Sequence, residues 1–143
     1  MIDRRDLSSN AGKLLRTMIR EMIDVSPSIK TIKVGGFPVS VEIASSYEQQ
    51  RVGLMNREHL DPDSGMLFCY DNPSTLSFWM RNTSIPLSIA FIGDDGRIQE
   101  IVDLEPFDET SVSSKMPCLW ALEVNKDWFR DRNLGVGCKI LGL

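Results

Sequence analysis

Along residues 6–24 the apolar positions Leu7, Ala11, Leu14, Leu15, Met18, Ile19, Met22 and Ile23 recur at steps of three and four. That spacing lines one face of a helix. Ser8, Ser9 or Asn10 suits its start, because a short polar side chain accepts from free backbone N–H groups, and Pro27 ends it. From Ile29 the period drops to two. Residues 29–34 form one arm of a hairpin, Gly35-Gly36 the turn, and Val39, Val41 and Ile43 one face of the returning arm, with Ser40, Glu42 and Ala44 on the other. Residues 45–55 read as a short helix, opened by a capping box of Ser46 and Gln49.

Turn-forming residues 61–65 and 71–74 bracket a short apolar strand at 66–70. Residues 76–82 and 87–92 read as further strands, with Gly93-Asp94-Asp95-Gly96 as the next hairpin turn. The return strand 97–104 turns either Ile98 and Val102 or Ile101 and Leu104 inward. A strand at 119–124, a short helix at 126–133 and a last strand at 139–141 complete the chain. Many short strands between Gly, Pro and Asp turns predict a mainly β fold, a single sandwich or partly open barrel with short helices. Residues 1–28 then form a helical extension, for docking or oligomerisation, and residues 29–143 the β domain.

Composition agrees with a globular chain: 143 residues, 42% hydrophobic and 25% charged. A net charge of −4 argues against binding nucleic acid, which requires a basic face. No apolar run approaches a membrane span of about 20 residues, and no signal peptide is recognisable, so a cytoplasmic location, or one inside an assembly built there, is the expectation. Cys69, Cys118 and Cys138 have neither metal nor redox spacing and read as small apolar residues in a reducing compartment.

The blocks Val41-Glu42-Ile43-Ala44, Arg51-Val52-Gly53-Leu54-Met55-Asn56-Arg57, Gly65-Met66-Leu67-Phe68 and Phe78-Trp79-Met80-Arg81-Asn82-Thr83 stand in this order. Ile85-Pro86-Leu87, Phe91-Ile92, Gly96-Arg97-Ile98 and Leu122-Glu123-Val124 follow. Together they resemble the DUF192 family, a domain of unknown function, over about residues 37–141. The resemblance implies a compact, mostly β fold like a distorted jelly roll and no agreed activity. Two positions depart from the family pattern: Ser88 stands where Asp usually follows Pro-Leu, and Cys138 where Asp usually follows Gly.

The densest cluster of unusual side chains is Trp79, Arg81, Asn82 and Thr83. With Arg51 and Arg57 it offers a positive pole, since guanidinium forks donate paired hydrogen bonds to carboxylate or phosphate. Trp79 suits stacking on a sugar or base, and Met55, Met66 and Met80 suit the wall of a small-ligand pocket that Glu123 joins. A structural reading competes with this one. An arginine paired with Glu42 or Glu123 stitches strands, Asn82 and Thr83 satisfy turn backbone, and the methionines fill gaps in the core.

Other chemistry finds less support. The single His59 lies in a polar stretch and is expected to face solvent, and one His without a cysteine pair builds no zinc site. The acidic run from Asp94 to Glu109 lacks the order of a calcium loop and reads as a solvated face. No catalytic residue, metal or cofactor is expected. The sequence therefore points to a non-enzymatic binding module for a small anionic or sugar-like ligand or a protein partner. Two alternatives are a structural component of a larger assembly, such as a viral particle, docked or self-associating through residues 6–24, and a hydrolase on carbohydrate or phosphate esters with Glu42 or Glu123 as base.

Overall fold

The computed structural model describes residues 12–15 and 27–143. Residues 12–15 are helical, and the rest of the helix expected over 6–24 lies outside the described residues. From residue 29 the order is β1 (Ile29–Val34), β2 (Phe37–Ala44), α1 (Tyr47–Val52), β3 (Ser64–Ser74), β4 (Ser77–Phe78) and β5 (Leu87–Ile92). β6 (Ile98–Leu104), β7 (Val112–Ser113), β8 (Cys118–Asn125), α2 (Trp128–Asp131) and β9 (Ile140–Leu141) follow. The mainly β expectation holds.

Seven strands form one sheet in the order β6-β5-β8-β3-β2-β1-β9, and β4 pairs with β7 as a separate ribbon. The sheet curls into a half-barrel whose edges are tied together. Ile98 N–H donates to Cys138 O at 3.0 Å, Ile140 N–H donates to Gly96 O at 2.9 Å, and Arg97 bridges to Lys139. Joining the edges removes unpaired backbone groups that would otherwise template foreign strands. Gly35 and Gly36 make the β1–β2 turn with φ of 57° and 88°, a pairing of positive angles that matches the twist of the strands it joins.

β2 and β3 run parallel, so the chain must cross over the sheet between them. α1 is part of that crossover. The sheet face it covers carries Ala44, Met66, Phe68, Leu87, Ile89, Phe91, Leu104 and Ala121, capped by Leu54, Phe78, Met80 and Ile85. The opposite face carries Ile32, Val34, Val39, Val41, Leu67, Leu122 and Val124, closed by Trp128 and Phe129 of α2. With both faces buried, β5 is apolar throughout except for Ser88.

Three local expectations are corrected. The turn expected at 71–74 lies within β3, whose register against β8 is broken between Cys69 and Ser74. Pro73 falls in that break, where no ladder hydrogen bond is asked of it. The strand expected over 76–82 is only Ser77–Phe78, because at Met80 the chain turns: Thr83 N–H donates to Met80 O at 3.1 Å and Asn82 takes φ 52°. In β6 neither inward pair is right as a pair. A register shift against Phe91/Ile92 sends Ile98 and Ile101 to the α2 face and Val102 and Leu104 to the α1 face.

Candidate functional site

The site is built where α1 ends. Ser46 Oγ accepts from Gln49 N–H at 3.1 Å, and Gln49 Oε1 accepts from Ser46 N–H at 3.0 Å, the expected reciprocal cap. Seven residues after Ser46 the helix stops at Gly53, with φ 50° and ψ −128°. Side chains are strained there, and a Cβ would already touch the Phe68 ring at 3.5 Å, so glycine lets the chain pass close over β3. Gly65 does the same between strands: a Cβ there would collide with the Glu123 carbonyl oxygen.

A loop from Trp79 to Thr83 forms the facing wall. Met80 N–H donates to Asp108 O at 2.8 Å, and Phe107 N–H donates to Thr83 O at 3.0 Å, which pins the loop to the 105–109 segment. Asn82 supplies the left-handed residue of the turn, its carbonyl accepting from Asn56 N–H at 2.8 Å. Asn tolerates that conformation better than most residues. Met80 and Thr83 are buried while Trp79 is 42% exposed.

Between these walls lies a cavity of about 140 Å³. Leu54, Met55, Phe68, Phe78, Trp79 and Met80 give it apolar and aromatic sides, and Glu123 of β8 reaches in from the sheet. Glu123 sits opposite Met66 on β3 and Ile89 on β5, in the middle of the apolar face. It is 5% exposed, and among the described residues no hydrogen bond or ion pair reaches its carboxyl. Burial pushes its pKa up to about 8, since a charged carboxylate loses hydration without gaining a partner. Tyr70 is pushed up to about 12, mainly by its own burial and further by Glu123.

The arginines are committed elsewhere. Arg57 donates from both terminal nitrogens to Glu42, at 2.7 Å each, across a neighbouring groove on the far side of α1. That pairing holds the Arg57 guanidinium above its ordinary pKa. Arg51 lies at the cavity rim and bonds Glu48 one turn earlier, at 3.2 Å from its Nε. Arg81 stacks over the Trp79 ring at 5.5 Å on the outside, with Glu109 at 3.9 Å.

Of the eight sequence-derived site residues, Arg51, Met55, Trp79, Thr83 and Glu123 line one cavity, whereas Arg57, Arg81 and Asn82 do not. Met66 lines the neighbouring groove instead. Gln50 and Ser77, which the sequence pattern does not single out, line the cavity as well. Gln50 tethers α1 to β3 by donating to Cys69 O at 2.8 Å, a reach across 19 residues that no sequence spacing signals. Of the two carboxylates considered as a base, Glu42 is held by Arg57, whereas burial raises the pKa of Glu123 to about 8, the direction that acid–base work requires. His59 is exposed and bonds Asp61 at 2.8 Å. Among the described residues no group of three or more His, Cys, Asp or Glu side chains is placed to hold a metal, and no helix is long and apolar enough to cross a membrane.

Fold and cavity define a mainly β half-barrel protein with one buried acid under a helix-and-loop cover. The chain belongs to the DUF192 family, described as an uncharacterized ACR, whose model matches residues 30–142. Among solved structures it is similar to a Sinorhizobium meliloti 1021 protein for which transcription regulation has been suggested. That protein is 30% identical, with a TM-score of 0.79 over 82% of this chain and 95% of the other. It is also similar to a protein of unknown function from Novosphingobium aromaticivorans DSM 12444, 32% identical, with a TM-score of 0.76 over 82% of this chain and 93% of the other. No curated protein matches the chain.

Proposed function

We propose that this protein is a non-enzymatic binding module that takes a small chemical group into the cavity between α1, the Trp79–Thr83 loop and β8. One observation supports this reading above the rest: a buried carboxyl faces an aromatic-walled cavity and has no partner among the described residues. A core acid kept only for structure is paired, because an unpaired one costs stability. An unpaired acid facing a cavity is the arrangement expected of a ligand site. Half-exposed Trp79 at the rim gives that occupant a surface to stack on as it enters.

A fragment screen followed by the methyl NMR signals of Met55 and Met80 tests the reading, since both side chains line the cavity. Occupants are expected to shift both methyls together, and Trp79→Ala is expected to weaken them at least tenfold. If no fragment moves either methyl up to millimolar concentration, the cavity is not a binding site.

A further inference from the structure

The polar groups of the cavity define which end of a ligand it accepts. Gln50 directs its amide N–H groups away, to Ala44 O at 3.3 Å and Cys69 O at 2.8 Å. Thr83 Oγ1 donates to Arg81 O at 3.0 Å, and Ser77 shares its hydroxyl with Ser113 at 2.7 Å. The Gln50 and Thr83 donors are thus taken inside the protein, and the Ser77 hydroxyl is engaged with Ser113. Two donors stay at the rim, the Arg51 guanidinium and the Trp79 ring N–H, and the one ionisable acceptor that lines the cavity is the Glu123 carboxyl. Around it stand the rings of Phe68, Phe78 and Trp79 and the thioethers of Met55 and Met80. Aromatic faces and soft sulfur surround a cation favourably and do nothing for an anion.

We infer that the cavity receives the ammonium group of a small primary amine, tip first, with Glu123 as its counter-ion and Trp79 over its stem. This rests on the binding reading above and replaces the anionic or sugar-like ligand expected from the arginines. The size agrees: an apolar cavity of about 150 Å³ holds a benzene molecule, so about 140 Å³ holds a group of a few heavy atoms.

The charged surroundings permit it. From β3 the group nearest in influence is Tyr70, neutral at physiological pH. β5 contributes no titratable side chain, and neither do Ser77–Met80 or Thr83. From α1 comes Arg51, at the rim and paired with Glu48. From β2 the Glu42–Arg57 pair shares the face of Glu123, one strand away across Met66, so a bound ammonium meets one buried carboxyl and, further off, two arginines each paired with a carboxylate. Because Glu123 holds a proton below about pH 8, binding there releases that proton to solvent, and the ammonium takes its place. Affinity must then rise with pH until the amine itself deprotonates, near pH 10 for a lysine-like amine.

The test is a matched series on the full chain: butylamine, butanol and butyrate, titrated against the Met55 and Met80 methyl signals at pH 6, 7, 8 and 9. Butylamine is expected to bind at least tenfold more tightly than the other two at pH 8, with affinity rising about fiftyfold from pH 6 to 8 as the ionised fraction of Glu123 grows. Glu123→Gln is expected to abolish that rise, and the wild-type pH series reads the same effect without any variant. Equal affinities across the series, or an amine affinity indifferent to pH, overturn the ammonium assignment. If none of the three binds while other fragments do, the assignment fails and the binding module stands. If nothing binds at all, both fall.

Discussion

Replacing Glu123 by glutamine should stabilise this protein, and only above a certain pH. In the unfolded chain a glutamate ionises near its ordinary value of 4.5, and in the folded chain Glu123 ionises at about 8. Below 4.5 both states carry the proton and the residue is neutral in its effect. Between those values the native state holds a proton that the unfolded chain has released, so stability falls as pH rises. Above about 8 both are ionised and the full cost of the buried charge is present. Each pH unit is about 1.4 kcal/mol, so a window of roughly three and a half units amounts to about 5 kcal/mol at its limit. That is a large share of the 5–15 kcal/mol typical of a folded domain. Glutamine has nearly the same shape and cannot ionise, and its amide N–H groups face the cavity rather than packed apolar atoms. Urea melts of both proteins at half-unit steps from pH 5 to 9 isolate the effect, because every other titrating group is common to the two. The difference in unfolding free energy should move in favour of Glu123→Gln by 2–5 kcal/mol across the series, with most of the change complete by about pH 8. A difference that stays flat within about 0.5 kcal/mol would mean that Glu123 is either paired or hydrated in solution, which would refute its reading as a ligand-binding acid.

Two further substitutions probe the frame around the cavity. Gly65→Ala should cost about 2 kcal/mol or more, because its methyl would strike the Glu123 carbonyl oxygen and part β3 from β8; a melt within 0.5 kcal/mol of wild type would show that the strands yield freely. The Arg57–Glu42 pair, with two bonds of 2.7 Å but partly exposed partners, should give a coupling of about 1 kcal/mol in a double-mutant cycle. That coupling should shrink in 1 M salt, and a value that salt leaves untouched would contradict a solvent-screened pair.

How much of this was readable from sequence depends on the range of the interaction. The Ser46–Gln49 cap, the Gly35-Gly36 turn and the two-residue alternation of β2 are set within a few positions, and they stand where the pattern put them. The failures in the fold all involve a distant partner. Residues 76–82 have strand composition, yet the chain bends at Met80 because its backbone is bonded to Asp108. In β6 one irregular register step divides an apparently simple alternation between two faces. At the site only Arg57 repeats that pattern, reaching Glu42 across 15 residues, whereas Arg51 and Arg81 meet Glu48 and Trp79 close by in the chain. Trp79, Thr83 and Met55 were recognisable as unusual, but the three arginines that made the cluster look anionophilic each find a carboxylate or a ring nearby in the fold. Glu123, one acid among 20, became distinctive only when its neighbours on β3 and β5 proved to be Met66 and Ile89.

The two departures from the family pattern bear on the same question, because their positions can be compared with the cavity. Ser88 pairs across the sheet with Val124, whereas its neighbour Ile89 pairs with Glu123. Directly opposed residues share a face and successive residues alternate, so Ser88 and Glu123 lie on opposite faces. Ser88 Oγ donates to Asp103 at 2.8 Å and accepts from Asp127 N–H at 3.2 Å, at the α2 end of the molecule. Cys138 packs with that same second core, beside the seam that joins β9 to β6. An aspartate at either position would therefore act on the α2 face and leave the cavity under α1 as it is. Serine and cysteine at these two positions therefore leave the Glu123 site unaltered. Restoring Ser88→Asp would place a second carboxyl beside Asp103 rather than beside Glu123. Its consequence belongs to the α2 end of the barrel, where like charges repel, and not to the ligand that the cavity accepts.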